Sequence, residues 1–288
     1  MPRRFCFFAR APAVSSPAIR LWWTVAIRLS IKKIGGDVLR FKDKVVLVTG
    51  AGSGIGYATA ERIAQEGGKL LLADINADAL RRAGDAIQAA HATEYGTFVF
   101  DASDMGGTRA MVKAAAAHFG RLDVLCNIAG IAGGWHTHEM PEADYKRMMA
   151  INVDGVFACC QEAIPHLIES KGNIVNMASA SSKQGQPYTA AYCASKAAVV
   201  AITRCLAVEY AGNGVRANAV CPGGVNTNIH HTIQFPKDAD AKMMEKLYPL
   251  FPIAEPHEIA AAIAYLASDE ARYVTGVDFS IDGGQTVS

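Results

Sequence analysis

Beyond Lys44 the chain alternates short, continuously apolar runs with longer stretches whose apolar positions recur at helical spacing. The short runs predict strands at Val45–Thr49, Lys69–Ala73, Thr97–Phe100, Val124–Asn127, Asn173–Met177, Arg216–Val220 and Val277–Ile281. The longer ones predict helices at Ile55–Gln65, Ala77–Ala90, Gly107–Phe119, Glu142–Glu169, Ala190–Tyr210 and Glu258–Ala267. Strands that are apolar at nearly every position are covered on both faces, which suits a parallel sheet. Repeated strand-then-helix units point the same way. Neither a linker nor a short-period repeat interrupts the body, so residues 41–288 read as one α/β domain. Residues 224–252 break the compact rhythm with Pro236, Pro249, Pro252 and a short helical stretch at Asp238–Tyr248. Insertions of this length are binding lids or loosely ordered segments, and a lid is the preferred reading.

Composition narrows the function classes. Of the 288 residues 51% are hydrophobic and 19% charged, enough for a sizeable core and incompatible with global disorder. The net charge of +1 hides an asymmetry: residues 1–36 hold seven basic residues and no acidic one. That leaves 21 of the 28 basic residues and all 27 acidic ones in the remainder, a net of −6, which argues against nucleic acid as a partner. The basic, apolar residues 1–40 form an extension with two readings. It is a poorly ordered or mis-assigned start, leaving the protein cytoplasmic, or a segment that targets an organelle or lies on a membrane surface. Its uncharged run, Leu21–Ile27, is too short to span a bilayer, which takes about 20 residues. Seven cysteines without a C-x-x-C pair read as reduced, buried thiols of a cytosol-like compartment. His136, His138, His230 and His231 could be assembled into a zinc site, but loop or pocket positions are the preferred reading, and no metal is expected.

Candidate chemistry begins at the first strand. Gly50, Gly54 and Gly56 follow Val45–Thr49 and open a helix near Ile55, the arrangement in which backbone N–H groups and a helix N-terminus meet a pyrophosphate. Asp74 ends the second strand, about 20 residues on, where a carboxylate accepts both ribose hydroxyls and repels a 2′-phosphate. Ser53 offers no cation to such a phosphate, so NAD is expected over NADP. The alternative for Asp74 is an acid at a helix N-terminus. Asp101 could meet an adenine, or Asp101 or Ser103 could cap the next helix.

Tyr192 and Lys196 are four apart on one helical face. A tyrosine, with a pKa of about 10, is a poor base until a nearby ammonium favours its phenolate. Ser179 ends a strand 13 residues earlier, where ligands bind in open parallel sheets. Its hydroxyl could hold a substrate oxygen against Tyr192 for proton exchange. Trp135 and His136 follow the Val124–Asn127 strand and are candidate substrate-pocket walls.

These motifs resemble those of the short-chain dehydrogenase/reductase family over about residues 41–286. Thr49–Gly56 matches its T-G-x-x-x-G-x-G; Asn127–Gly130 resembles its N-N-A-G, with Ile128 for the second Asn. Asn152 matches its helical Asn, and Ser179, Tyr192 and Lys196 its remaining catalytic residues. Pro222–Thr227 matches its P-G-x-x-x-T. The resemblance implies a Rossmann-type, doubly wound parallel sheet of about seven strands with helices on both faces, NAD as cofactor, and a homotetramer or homodimer. It also implies that Tyr192 is the acid/base, that Ser179 orients the substrate, and that Lys196 lowers the tyrosine pKa and binds the nicotinamide ribose. Asn152 would support a water linked to Lys196. The cofactor would contact Gly50, Ser53, Gly54, Ile55, Gly56, Asp74, Asn127, Ala129, Gly130, Pro222 and Gly223, with Val225 and Thr227 on the carboxamide and Asp101 and Ala102 on the adenine. The expected reaction interconverts a secondary alcohol and a ketone; the alternative is a catalytically silent dinucleotide-binding sensor or scaffold. Apolar residues of the 224–252 insertion (Ile229, Ile233, Phe235, Met243, Met244, Leu247) point to a hydrophobic, cyclic or steroid-like substrate.

Overall fold

The computed structural model describes residues 39–229 and 233–287. The readings on the N-terminal extension, Cys6, His230 and His231 lie outside the described residues. The compact unit begins at Leu39, two residues ahead of the expected boundary.

Seven strands form the sheet: β1 (Val45–Thr49), β2 (Lys69–Asp74), β3 (Tyr95–Val99), β4 (Val124–Asn127), β5 (Asn173–Met177), β6 (Arg216–Pro222) and β7 (Asp278–Ile281). All pairs are parallel, in the order β3-β2-β1-β4-β5-β6-β7. Helices with both ends among the described residues are α1 (Gly54–Gln65), α2 (Ala77–His91), α3 (Met105–Phe119), α4 (Glu142–Met149), α5 (Gly155–Ser170), α6 (Ala190–Glu209), α7 (Ala241–Met244) and α8 (Pro256–Ala267).

The unbroken apolar character of the strands has its explanation in the two faces of the sheet. Val45 and Leu47 of β1 join a cluster with Val112 of α3, Leu167 of α5 and Val199 of α6. Val46 and Val48 point the other way, into a cluster with Ile63 of α1, Leu80 and Ile87 of α2, and Ile259 and Ile263 of α8. Each large aliphatic side chain removed from water stabilises the fold by about 1.5–3 kcal/mol before entropy is counted. The helix α6 has a mean hydropathy of 1.4 and is long and apolar enough by composition to cross a membrane. Here its Val199, Thr203 and Ala207 are buried in the body.

Several boundaries differ from the expected ones for local reasons. The helix α3 starts at Met105, through Gly106 and Gly107, because the Asp104 side chain accepts from the Gly106 N–H. The helix α8 starts at Pro256, with Glu255 and Glu258 forming a reciprocal capping box. β6 runs on to Pro222 because Cys221 and Pro222 align with Ser280 and Ile281 of β7. The expected helix over Glu142–Glu169 is two helices joined by a π-helical turn at Ala150–Asp154. Of the cysteines, Cys126, Cys159, Cys160 and Cys221 are buried as expected, whereas Cys205 is exposed.

Candidate active site

The strand order reverses between β1 and β4, so the turns after these two strands flank a crevice at the carboxyl end of the sheet. Thr49 ties the turns together: its hydroxyl accepts from the N–H groups of Ile128 (2.9 Å) and Ala129 (3.1 Å). Ile128 thus enters this contact through its backbone, while its side chain packs against the apolar cluster beneath. Gly50 has φ +70°, and a Cβ there would stand 3.0 Å from the Ala129 nitrogen. A Cβ on Gly56 would lie 2.0 Å from the Gly50 carbonyl oxygen. The α1 N-cap, Ser53, makes no side-chain cap bond, and Ser53, Gly54, Ile55 and Gly56 all line the crevice. Backbone N–H groups of a helix N-terminus therefore border the cavity where an anion would sit.

Asp74 stands at the tip of β2 and also lines the crevice. Its carboxylate accepts from the Gly52 N–H (2.9 Å) and the Asn76 N–H (2.9 Å), which fixes its orientation. The α2 N-cap is Asn76. Asp101 and Ala102 line the same wall. The Asp101 carboxylate accepts from the Ser103 hydroxyl (2.7 Å) and N–H (2.8 Å), and these bonds hold its pKa below the usual value. Neither Asp101 nor Ser103 caps α3; that position belongs to Asp104.

The crevice continues as a cavity of about 500 Å³ to the ends of β5 and β6. Ser179, Tyr192 and Lys196 line its far end together. Ala129 and Gly130 form part of the floor, and Pro222, Gly223, Val225 and Thr227 face them. The Thr227 methyl comes within 3.3 Å of where a Gly54 Cβ would be, so this segment crosses over the glycine turn. From the 224–252 insertion, Ile229, Ile233, Phe235, Met244 and Leu247 reach the cavity; Met243 does not and is half exposed.

Burial dominates the electrostatics of the far end. Lys196 is 3% exposed, and desolvation lowers its ammonium pKa to about 8. The Lys196 Nζ donates to the Met177 carbonyl (2.9 Å) and lies 5.8 Å from the centre of the Tyr192 ring. Burial pushes the Tyr192 phenol above its ordinary value, while interaction with the Ser179 hydroxyl pulls it down. The Lys196 ammonium is turned to the Met177 carbonyl and is itself desolvated, so burial rather than the neighbouring charge sets the direction for Tyr192. Ser179 is held by Ser181, whose N–H donates to the Ser179 Oγ (3.1 Å). The Ser181 hydroxyl in turn donates to Gln186 (2.6 Å).

Four expected site residues do not line this cavity. The Asn127 amide donates to Asn176 (2.9 Å) in a buried polar network. Asn152 sits in the π turn, fully buried, and exchanges hydrogen bonds with the backbone of Ile131, 2.9 Å each way. Trp135 borders a second cavity with Tyr145 and Tyr188. His136 faces outward and bonds Asp238 (3.0 Å). Conversely, Gln186 and Arg147 line the main cavity and were not singled out in the sequence. Gln186 had one legible signal, a polar side chain in the loop joining Ser179 to Tyr192; Arg147 had none. Among the described residues no group of three His, Cys, Asp or Glu side chains is placed to hold a metal.

A family model described as enoyl-(acyl carrier protein) reductase matches residues 50–286. Meso-2,3-butanediol dehydrogenase of Serratia marcescens is 40% identical over 250 residues, covering 87% of this chain and 97% of that protein. The crystal structure of a levodione reductase, 36% identical, matches with a TM-score of 0.79 over 86% of this chain and 99% of its own. A short-chain dehydrogenase from Mycobacterium paratuberculosis, solved bound to NAD, is 30% identical with a TM-score of 0.79, covering 88% of this chain and all of its own (100%).

Proposed function

This chain belongs to the short-chain dehydrogenase/reductase family and is an oxidoreductase of alcohol or ketone groups; from that premise we propose that its hydride carrier is NAD and its substrate a secondary alcohol or the matching ketone. One observation carries the reading. Ser179, Tyr192 and Lys196 meet at one end of a cavity whose other end holds the glycine turn and Asp74.

The residues fit a dinucleotide. The Gly50–Gly56 backbone cradle and the α1 N-terminus suit its pyrophosphate, and the fixed Asp74 carboxylate suits two ribose hydroxyls. When bound, NAD supplies or accepts the hydride at the substrate carbon. In ketone reduction the Tyr192 phenol, kept protonated by burial, donates its proton to the carbonyl oxygen. The Ser179 hydroxyl, oriented through Ser181 and Gln186, hydrogen-bonds that same oxygen. Lys196 holds a positive charge on the phenol side of the site, which favours the phenolate that remains. In alcohol oxidation the proton takes the reverse path. This division of roles among Ser179, Tyr192 and Lys196, with Asn152 bracing the turn beneath, argues against a silent sensor. The segment 233–247 acts as the substrate lid, and its apolar side chains favour hydrophobic alcohols. Exposed apolar Tyr145 on α4, Phe157 on α5 and Phe279 on the edge strand β7 support a homo-oligomer, which light scattering would size.

The test is NAD reduction by a panel of secondary alcohols, butane-2,3-diol included. Wild type should turn over at least one; Tyr192→Phe should lose turnover by about 100-fold or more while NAD affinity stays within a few-fold. Retained turnover in that variant refutes the proton-transfer role. Tight NAD binding with no alcohol or ketone consumed would favour the sensor.

A further inference from the structure

Four residues before Tyr192 the backbone does something unusual for an aromatic residue. Tyr188 has φ +66°, in the left-handed region that a bulky side chain rarely adopts. Three contacts hold it there. The Tyr188 carbonyl accepts from the Trp135 N–H (2.7 Å). The Tyr188 hydroxyl accepts from the Asp240 N–H (2.8 Å). The Tyr188 ring meets the His136 ring edge-on, with centroids 5.2 Å apart and planes at 86°.

The partners of these contacts belong to two other stretches, and those stretches also bind each other. Gly134 N–H donates to the Gln234 carbonyl (3.1 Å). The Phe235 ring occupies the space a Gly134 Cβ would need, 2.6 Å from that position. His136 Nε2 bonds Asp238 (3.0 Å), and Asp240 caps α7 through the N–H groups of Lys242 (2.8 Å) and Met243 (3.4 Å). Residues 134–136, Tyr188 and 234–240 therefore form one clamp. The clamped segment supplies Ile233, Phe235, Met244 and Leu247 to the wall of the main cavity, whereas Tyr188 itself does not line it. Tyr188 borders the second cavity instead, about 360 Å³, beside Trp135.

We propose that Tyr188 is a positioning residue: its hydroxyl latches the 233–247 segment over the cavity and ties it to the start of the helix that carries Tyr192. The Asp240 N–H is the point of attachment. A phenylalanine at 188 keeps the ring contact with His136 and loses the one acceptor that reaches the segment. The His136–Asp238 pair is the outer, solvent-facing member of the clamp, with Asp238 79% exposed, and contributes less.

The kinetic part of this inference rests on the proposed oxidoreductase reading; the structural part does not, and the experiment separates them. Full-length wild type, Tyr188→Phe and Asp238→Asn are digested with trypsin without cofactor, and cleavage after the exposed Lys237 and Lys242 is followed by mass spectrometry. Tyr188→Phe should be cleaved about fivefold faster at both sites, the population change that follows loss of one hydrogen bond, and Asp238→Asn, which alters the Lys237 site itself, up to about twofold faster after Lys242. Thermal midpoints should stay near wild type. With NAD and butane-2,3-diol, Tyr188→Phe should raise the KM for the diol about fivefold and leave kcat within about twofold. Cleavage of Tyr188→Phe at the wild-type rate, or a fall in kcat with KM unchanged, overturns the latch. Should Tyr188→Phe fail to fold, Asp240→Pro is digested in its place, since it deletes the N–H that the Tyr188 hydroxyl accepts from at a φ of −70° that proline adopts, and unchanged cleavage after Lys237 overturns the latch. Wild type that oxidises no alcohol overturns the function reading alone, and cleavage still decides the latch.

Discussion

Lys196 should destabilise the protein that depends on it. Its side chain is 3% exposed, and among the described residues its hydrogen bond is to the Met177 carbonyl. Desolvation lowers its pKa from 10.5 to about 8, opposed weakly by Cys221. A gap of that size, at 1.36 kcal/mol per unit, corresponds to about 3 kcal/mol. The sign follows from proton counting. Below about pH 8 both folded and unfolded chains carry the ammonium, and the folded one bears the full cost of burying it. Between about 8 and 10.5 the unfolded chain binds more protons, so stability rises with pH. Above 10.5 both are neutral and the cost is gone. Lys196→Met removes this dependence and nothing else that titrates, although the Met177 carbonyl loses its donor at every pH. The stability difference, variant minus wild type, should therefore fall by about 3 kcal/mol from pH 7 to pH 10.5. Urea unfolding of the cofactor-free proteins, followed by circular dichroism at one protein concentration, measures it. A difference constant to within about 1 kcal/mol across that range would refute the argument. A buried ammonium kept at such a cost makes sense where its charge is used, beside the Tyr192 phenol.

Two further outcomes concern the cofactor end. Asp74→Asn keeps an acceptor for the Gly52 N–H but removes the charge that repels a 2′-phosphate. The ratio of kcat/KM for NAD over NADP should drop by about tenfold or more, and an unchanged ratio would show that selection lies elsewhere. Gly56→Ala forces a Cβ to 2.0 Å from the Gly50 carbonyl, and that contact is with backbone. NAD affinity should fall by at least about tenfold, with a lower thermal midpoint, and calorimetry showing wild-type affinity would mean that the turn yields without cost.

How much of this was legible in the sequence depended on whether a residue's role is set locally. The inner strands β1, β2, β4, β5 and β6 were legible because most of their positions face one of two apolar clusters, whereas the edge strands β3 and β7 expose Val99 and Phe279. Tyr192 and Lys196 were legible because a four-residue helical spacing fixes direction as well as position, whereas Ser179, expected at a strand end, caps a 3-10 turn two residues beyond β5. Trp135 and His136 were placed beside the cavity because they follow the β4 turn closely. The chain, however, turns away there: the Trp135 N–H is taken by the Tyr188 carbonyl and His136 by Asp238. Nearness in sequence to a loop tip carries no information on which way the next residues point. Cys205 was expected to be buried because its neighbours are apolar, yet it falls on the exposed side of α6.

Asn152 shows a different limit, set by helix geometry. Its role came from the family resemblance, while the periodicity predicted one regular helix from 142 to 169, and a period of 3.6 residues contains no signal for an inserted residue. The structure widens one turn at Ala150–Asp154. Arg147 ahead of it and Ile151 within it face the cavity, and beyond it Cys159 and Cys160 are buried in the core. The widened turn brings the Asn152 carboxamide against Ile131, where it takes the place of a backbone partner for both N–H and carbonyl, and its amide also reaches Ser195 (3.1 Å). A Cβ on Gly130 would lie 3.1 Å from the Asn152 Oδ1 and 3.2 Å from the Lys196 Nζ. The carboxamide and the ammonium thus converge behind the same glycine from two different helices. The floor of the cavity and its proton-handling end share one buried support, reached from the π turn on one side and from α6 on the other.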